Sequence, residues 1–148
     1  MANLTLAATV TEFIERGFNH GDLSVIEQFN DHQTVDHQEP PGTDFVPHLK
    51  AVITSMRTAF PDLHFEIQHV LEDGPIVALH STMTGTHLGV LNLGQLSDVP
   101  PTGRSVNVRH MHFLRFVDGK ATDLWHVWET PKLLQQLGLM PERRAVPQ

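Results

Sequence analysis

The spacing of apolar residues changes at Pro61, from the period of an α-helix to that of a β-strand. Before Pro61, apolar side chains recur every three or four positions in three separate segments, which predicts three helices. Asp22 is the expected N-cap of the second helix and Thr43 that of the third, which also has Pro47 in its first turn. The three helices cover about residues 6–18, 23–29 and 46–60.

After Pro61, apolar and polar residues alternate, which predicts strands. The first begins at Leu63, two long runs follow at residues 76–87 and 105–116, and the last strand begins after Gly119. Helices followed by an antiparallel meander form an α+β domain. We expect a curved antiparallel sheet wrapped around the N-terminal helices, a cone-shaped barrel with an internal pocket.

Two further segments complete the prediction. Residues 33–38, QTVDHQ, have room for one short strand, and residues 91–103, which contain prolines, are expected to form an irregular lid or rim. A chain of 148 residues is the length of one domain with a real core. We therefore expect a single domain over residues 1–148.

Composition limits the classes of partner. Ten Lys and Arg against 17 Asp and Glu give a net charge of -7, so the chain has no general positive field for nucleic acid or anionic lipid. No cysteine is present, which excludes disulfides and thiolate sites. The first residues show neither a signal peptide nor a membrane span, and we expect a cytoplasmic protein.

Histidine, with 11 residues, is the unusual entry in the composition. His110 and His112 are two positions apart on a predicted strand, so both side chains project from one face. Val108 and Leu114 share that face, which indicates that it looks inward. Two inward imidazoles are candidates for acid–base chemistry or ligand binding.

The turn after Val117 decides whether His126 joins this pair. A three-residue loop with Gly119 in the left-handed conformation brings His126 opposite His110. A two-residue loop reverses the parity and places Asp123, Trp125 and Glu129 on the histidine face instead. We favour the three-residue loop.

Other side chains are candidates because of their positions in the predicted strands. His37 ends the short strand, where it can lean over the mouth of the cone, and His80 shares a strand face with Thr82 and Thr84. Trp125 and Trp128 lie on opposite faces of one strand, so one packs under a helix and the other can form a wall for an aromatic ligand.

A zinc site made only of histidines is geometrically conceivable at His110, His112 and His126, because neighbouring strands place such rings within reach of one ion. The chain has no Gly-rich phosphate loop and no GxSxG elbow. We expect no metal and no cofactor.

Four motifs carry a family resemblance. They are AFPDLHFEI at 59–67, GTHLG at 85–89, PPTGR at 100–104 and GKATDLWHVWETPKLLQQLGLMP at 119–141. Together they resemble the SnoaL-like polyketide cyclases and ester cyclases of the NTF2-like superfamily over nearly the whole chain. The resemblance implies an α+β barrel and closure of a polyketide ring by an intramolecular aldol reaction without cofactor or metal.

The resemblance also implies roles for individual residues. His126 takes the position of the cyclase aspartate that acts as general acid and base, and His112 that of the assisting histidine. Glu129 replaces an aspartate at the end of the strand, and His80 stands where many relatives have arginine.

We therefore expect a cyclase, or a related lyase or isomerase, acting on a hydrophobic carbonyl compound. The expected catalytic residues are His126, His112 and His37. The expected substrate-binding residues are His110, His80, Trp128, Trp125 and Glu129. A hydroxylase of polycyclic aromatic polyketides and a non-catalytic binding protein are the alternatives, and the alternating Arg109, Met111 and Phe113 face suggests a homodimer.

Overall fold

The computed structural model describes residues 5–141. Within these residues four α-helices and seven strands follow one another, and the first helix continues as a π-helical segment. They are α1 (Leu6–Phe13), the π-helix (Ile14–Asn19), α2 (Ser24–Phe29), β1 (Asn30–Asp36), α3 (Phe45–Ala59), β2 (His64–Asp73), β3 (Ile76–Thr86), β4 (Leu91–Leu93), β5 (Leu96–Val99), β6 (Ser105–Val117), β7 (Lys120–Trp128) and α4 (Thr130–Gln136).

The helix starts agree with the sequence only in part. Helix α2 begins at Ser24 after Leu23, so Asp22 lies one position before the cap, although its carboxylate still accepts a hydrogen bond from the Ser24 amide at 3.1 Å. Thr43 is not the cap of α3, because that helix begins at Phe45 after Asp44. The Thr43 hydroxyl donates instead to the carbonyl of Pro40 at 2.7 Å and closes the preceding turn.

The sheet has five strands in the order β1-β7-β6-β3-β2. Strands β2, β3, β6 and β7 form the predicted antiparallel meander. Strand β1 pairs in parallel with β7, so the sheet is mixed rather than purely antiparallel. The α+β class is confirmed, and the sheet is curved but does not close into a barrel.

The hairpin between β6 and β7 differs from the prediction. Val117 pairs with Lys120 across a two-residue turn, in which both Asp118 and Gly119 have positive φ. The favoured three-residue loop was therefore wrong. A β-bulge at Thr122 adds one extra residue to β7 and reverses the parity again.

The bulge decides which face of β7 looks inward. Because of it, His126 lies on the same face as His110 and His112, as expected. Its direct partner on β6 is His112, and His110 pairs with Trp128. Asp123 and Trp125 lie on the opposite, outer face.

The segment expected to be irregular contains a small hairpin. Strands β4 and β5 pair with each other, and β4 lies against α3. Leu91, at the start of β4, is fully buried. The lid is therefore anchored to the core.

The main core lies between the inner face of the sheet and the helices. Its largest fully buried apolar side chains come from α2, α3 and strands β3, β4 and β6, with further ones from α4. No helix within residues 5–141 is long and apolar enough to cross a lipid bilayer.

Candidate active site

A cavity of about 600 Å³ opens between the inner face of the sheet and helices α1 and α3. This volume is in the range of binding sites for small organic molecules. The tip of the β4–β5 hairpin covers part of it through residues 93–96. Its apolar walls include Val10, Phe13, Leu49, Val52, Leu79 and Leu114.

Three imidazoles stand together in this apolar cavity. His110 and His112 come from β6 and His126 from β7. Nε2 of His110 lies 3.1 Å from Nδ1 of His126, and the rings of His110 and His112 have centroids 4.0 Å apart. The expectation that these three side chains share the pocket is met in the structure.

A carboxylate that sequence reasoning missed completes the group. Oδ2 of Asp36, at the end of β1, lies 3.1 Å from Nε2 of His126, and only 9% of the Asp36 side chain is exposed. Its other oxygen accepts a hydrogen bond from the Gln38 amide at 3.0 Å. Burial opposes ionisation of Asp36, but the hydrogen bonds from His126 and Gln38 outweigh it and lower the pKa of the carboxyl.

The ionised carboxylate fixes the hydrogen-bond direction along the chain of groups. A carboxylate only accepts, so we assign the proton of neutral His126 to Nε2, which donates to Asp36. Nδ1 of His126 then carries a lone pair and accepts from the Nε2–H of His110. Asp36, His126 and His110 thus form a directed chain, the Asp36–His126–His110 chain.

Burial keeps the two β6 histidines uncharged. It lowers the pKa of His110 to about 3, with a further contribution from His126. It also holds the pKa of His112 well below its usual value, helped by the neighbouring imidazoles. Nδ1 of each is buried and has no hydrogen-bond partner in the described part of the chain.

The mouth of the cavity carries a second polar group. Oε1 of Glu39 and Nε2 of His48 are 3.2 Å apart, and both residues line the cavity beside Asp36. His48 is half-buried and faces this space. No Lys or Arg among residues 5–141 lines the cavity.

The two tryptophans divide as the alternation predicted. Trp128 lines the cavity, and its ring stacks on His110 with centroids 5.5 Å apart. Trp125 lies on the outer face, stacked nearly parallel on His37 at 4.5 Å. Trp125 is therefore not a wall of the cavity, because β7 presents it to the other side of the sheet.

His37 does not lean over the mouth of the cavity. Its Nε2 lies 3.0 Å from Oδ1 of Asp123 on the outer face. The strand ends at Asp36, whose side chain alternates to the inner face and takes the place expected for His37.

His80 and Glu129 also lie away from the cavity. His80 stands on the outer face of β3, where its Nδ1 is 3.0 Å from Nδ1 of His69. Glu129 follows the last residue of β7 and binds the guanidinium of Arg109 at 2.9 Å. Hydrogen bonds from the Arg109 side chain and backbone lower the pKa of Glu129 to about 2, so it is a surface ion-pair partner.

One signal for Asp36 was present in the sequence. Positions 34 and 36 of a strand share one face, and in the structure that face is the inner one, because Thr34 is buried. The prediction selected His37 because of its residue type, and His37 is one position after Asp36, so its side chain projects from the opposite face of the strand. The parallel pairing of Asp36 with Leu124 that brings β1 to β7 has no local signature.

Comparisons with known proteins identify the family of this chain. The model of the SnoaL-like polyketide cyclase family matches residues 8–137. The aklanonic acid methyl ester cyclase DauD of Streptomyces sp. strain C5 is 26% identical, over 86% of this chain and 86% of its own. The aklanonic acid methyl ester cyclase DnrD of Streptomyces peucetius is 29% identical, over 67% and 75%.

A solved structure extends the likeness to the fold. TsrD from Streptomyces laurentii superposes with a TM-score of 0.81 over 95% of this chain and 100% of its own, at 17% sequence identity. The family match spans the helices, the sheet and the cavity histidines together. This chain belongs to the SnoaL-like polyketide cyclase family.

Proposed function

We propose that this chain is a cofactor-independent polyketide cyclase that closes a ring by an intramolecular aldol reaction. The observation that carries the proposal is the Asp36–His126–His110 chain inside a cavity with largely apolar walls. It supplies a proton acceptor and a proton donor side by side, which is what enolisation of a carbonyl compound needs.

The first step is removal of a proton from a carbon between two carbonyl groups. Nδ1 of His126 accepts this proton, while the Nε2–H of His110 donates a hydrogen bond to the carbonyl oxygen that becomes the enolate. In the free protein these two nitrogens satisfy each other at 3.1 Å. The bound substrate replaces this contact: its acidic carbon lies against Nδ1 of His126, and its carbonyl oxygen accepts the hydrogen bond from Nε2 of His110.

The second step forms the ring. The enolate carbon attacks a ketone carbonyl of the same molecule, a C–C bond forms, and the new alkoxide takes the proton back from the His126 imidazolium. His112, next to His110, donates to the developing alkoxide. The product is an isomer of the substrate, so the reaction consumes no oxidant and no reductant.

Asp36 acts through His126. Its negative charge stabilises the imidazolium that forms in the first step, and its hydrogen bond keeps Nδ1 turned toward the cavity. Asp36 is a positioning residue, because it touches His126 rather than the reacting atoms.

The cavity supports a neutral, flat substrate. Trp128 offers an aromatic surface beside His110, and the walls are apolar. The cavity has no cationic side chain among its described residues, and Asp36 and Glu39 are acidic, so a free carboxylate is disfavoured. An esterified aromatic polyketide, like the substrate named for DauD and DnrD, fits these properties.

The test is turnover of aklanonic acid methyl ester by purified protein in EDTA-containing, oxygen-free buffer, followed by chromatography with mass detection. We expect a new product of unchanged mass. His126→Ala and His112→Ala should each lower the rate by about 100- to 10,000-fold, the usual size of acid–base assistance. His80→Ala, on the outer face, is the control and should turn over normally.

Other outcomes separate the remaining candidates. Unchanged turnover in both cavity variants contradicts the assignment of the histidines. A product heavier by one oxygen atom, formed only in air, identifies a hydroxylase. Binding of the compound without any product identifies a binding protein.

We also propose that two copies associate through the outer face of the sheet. Met111 pairs with Val127 and Phe113 with Trp125 across β6 and β7, which makes a continuous apolar patch. Phe113 is 53% exposed and Val127 64% exposed. A patch of this kind is typical of a protein–protein contact.

A further inference from the structure

The three cavity histidines also have the spacing of a metal-binding site, because their ring nitrogens lie close to one another. One nitrogen from each of His110, His112 and His126 lies within 4.8 Å of the other two. Two neighbouring strands hold them, with His112 directly opposite His126 and His110 two positions along β6. Three imidazoles at this spacing are a common metal-binding arrangement.

The distance between two of these nitrogens is close to the distance between ligand nitrogens in a metal site. Bonds of about 2.1 Å in a tetrahedral site place neighbouring ligand nitrogens about 3.4 Å apart. Nε2 of His110 and Nδ1 of His126 are 3.1 Å apart and face each other. Binding requires the rings to rotate until both lone pairs, and one nitrogen of His112 that lies within 4.8 Å, point at a common position beside this pair.

Asp36 provides a second, independent observation. Metal-bound histidines usually donate their other ring N–H to a carboxylate, which fixes the ring and its tautomer. Oδ2 of Asp36 lies 3.1 Å from Nε2 of His126, so Nδ1 of His126 faces the other histidines with its lone pair. The same hydrogen bond that orients a base also orients a ligand.

Two nitrogens without hydrogen-bond partners also favour a bound ligand. Nδ1 of His110 and Nδ1 of His112 are buried without a hydrogen-bond partner in the described residues. Buried polar atoms normally have a partner, so this cluster holds unused donor or acceptor capacity. A cation bound through Nδ1 of His112 would use the capacity of that atom, whereas His110 faces His126 through Nε2.

We propose that His110, His112 and His126 form a binding site for one divalent first-row transition cation such as Zn²⁺, with the remaining coordination position open to the cavity. An all-imidazole donor set suits Zn²⁺, Ni²⁺ and Cu²⁺, and it disfavours Mg²⁺ and Ca²⁺, which require oxygen ligands. Occupancy engages the nitrogens that would otherwise transfer protons. The cation is therefore an inhibitor of the proposed cyclase, although its binding does not depend on that activity.

The test is titration of tag-free, EDTA-treated and dialysed protein with Zn²⁺ in a calorimeter, and with Co²⁺ as a spectroscopic probe. We expect one saturable site and visible absorption bands of tetrahedral or five-coordinate Co²⁺. His126→Gln and His112→Gln should each bind at least tenfold more weakly. Asp36→Asn, which keeps all three ligands, should bind about 10- to 100-fold more weakly.

The control separates this site from other histidines. His80→Gln removes one member of the outer His69–His80 pair and should bind Zn²⁺ and Co²⁺ as the unaltered protein does. Absence of saturable binding in the unaltered protein overturns the proposal, and so does equal binding by His126→Gln. Circular dichroism verifies that each variant is folded, and the Co²⁺ spectrum of the unaltered protein decides the question if a variant does not fold.

Failure of this proposal is distinguishable from failure of the proposed function. Turnover in EDTA that is lost in His126→Ala, without saturable Zn²⁺ binding, leaves the cyclase and removes the cation site. Saturable binding at these histidines without turnover leaves the cation site and removes the cyclase. Where both hold, Zn²⁺ should inhibit turnover with the half-saturation found in the calorimeter.

Discussion

Asp36 and His126 meet at 3.1 Å, on neighbouring strands that run parallel although they lie 90 positions apart in the chain. The parallel pairing of β1 with β7 is the exception in an otherwise antiparallel sheet. It places a carboxylate behind His126, the cavity histidine whose Nδ1 lies 3.1 Å from Nε2 of His110. One hydrogen bond therefore joins a buried, ionised carboxylate to His126 and orients the imidazole ring.

Asp36→Asn should lower kcat of the cyclase by roughly 10-fold or more, with little change in KM. The amide leaves the volume unchanged but removes the charge that stabilises the His126 imidazolium. Steady-state kinetics with the methyl ester substrate checks this.

Asp123→Asn is the matched control for Asp36→Asn. Asp123 makes the same kind of contact, 3.0 Å to Nε2 of His37, on the outer face. Its turnover should equal that of the unaltered protein. Equal losses in both variants would show that the effect is structural and not specific to the cavity.

Gly85→Ala should lower the free energy of unfolding by about 1–3 kcal/mol, as overpacking of a filled core does. A Cβ at Gly85 would lie 2.9 Å from Cβ of Phe60, an atom that cannot move without its backbone. Urea unfolding followed by fluorescence measures the change.

Gly17→Ala is the comparison for this substitution. A Cβ at Gly17 would lie 3.0 Å from Cγ2 of Val25, the end of a side chain, and alanine favours the helix. Gly17→Ala should therefore cost less than Gly85→Ala. The reverse order would contradict the packing argument.

The free energy of unfolding should fall at acid pH as Glu129 becomes protonated. Its pKa in the folded protein is about 2, below the ordinary value of 4.5, because Arg109 hydrogen-bonds the carboxylate. The stabilisation is therefore complete above about pH 4.5 and is lost as the pH falls toward 2. The urea midpoints of the unaltered protein and Glu129→Gln should differ most at pH 6 and converge over this window, whereas a constant difference would exclude the ionisation as its cause.

Phe113→Glu should convert the proposed dimer to monomers without unfolding the chain. The side chain is half-exposed on the outer face, where it pairs with Trp125, so a charge there is solvated in the monomer and buried in the dimer. Sedimentation velocity measures the change, with Leu88→Glu as a control at an exposed apolar loop residue. Sedimentation of the unaltered protein as a monomer would remove the proposal.

Local patterns in the sequence predicted most of the fold. Periodicity identified three helices and the four-strand meander, because each is recorded in the spacing of its own apolar residues. The parallel strand β1 was predicted as a strand but not placed, since its pairing with β7 depends on contacts between distant segments. The β4–β5 hairpin was missed because its strands are only three and four residues long.

The site was predictable where strand alternation alone decides it. His110 and His112 occupy the cavity because both lie on the inner face of the long, regular strand β6, whereas Trp128 reaches the cavity on β7 because of the bulge at Thr122. His37, His80, Trp125 and Glu129 do not, since each is on the outer face or beyond the strand end. His126 was placed correctly for a reason that the sequence does not show, the bulge at Thr122.

That bulge has a consequence for comparing relatives. The face that β7 shows to the cavity depends on whether the turn and the strand together contain an odd or even number of unpaired residues. A longer turn without a bulge and a short turn with one are therefore interchangeable. An insertion aligned at Gly119 in one relative and at Thr122 in another describes the same cavity, and a hairpin that gains or loses a residue can keep its chemistry intact.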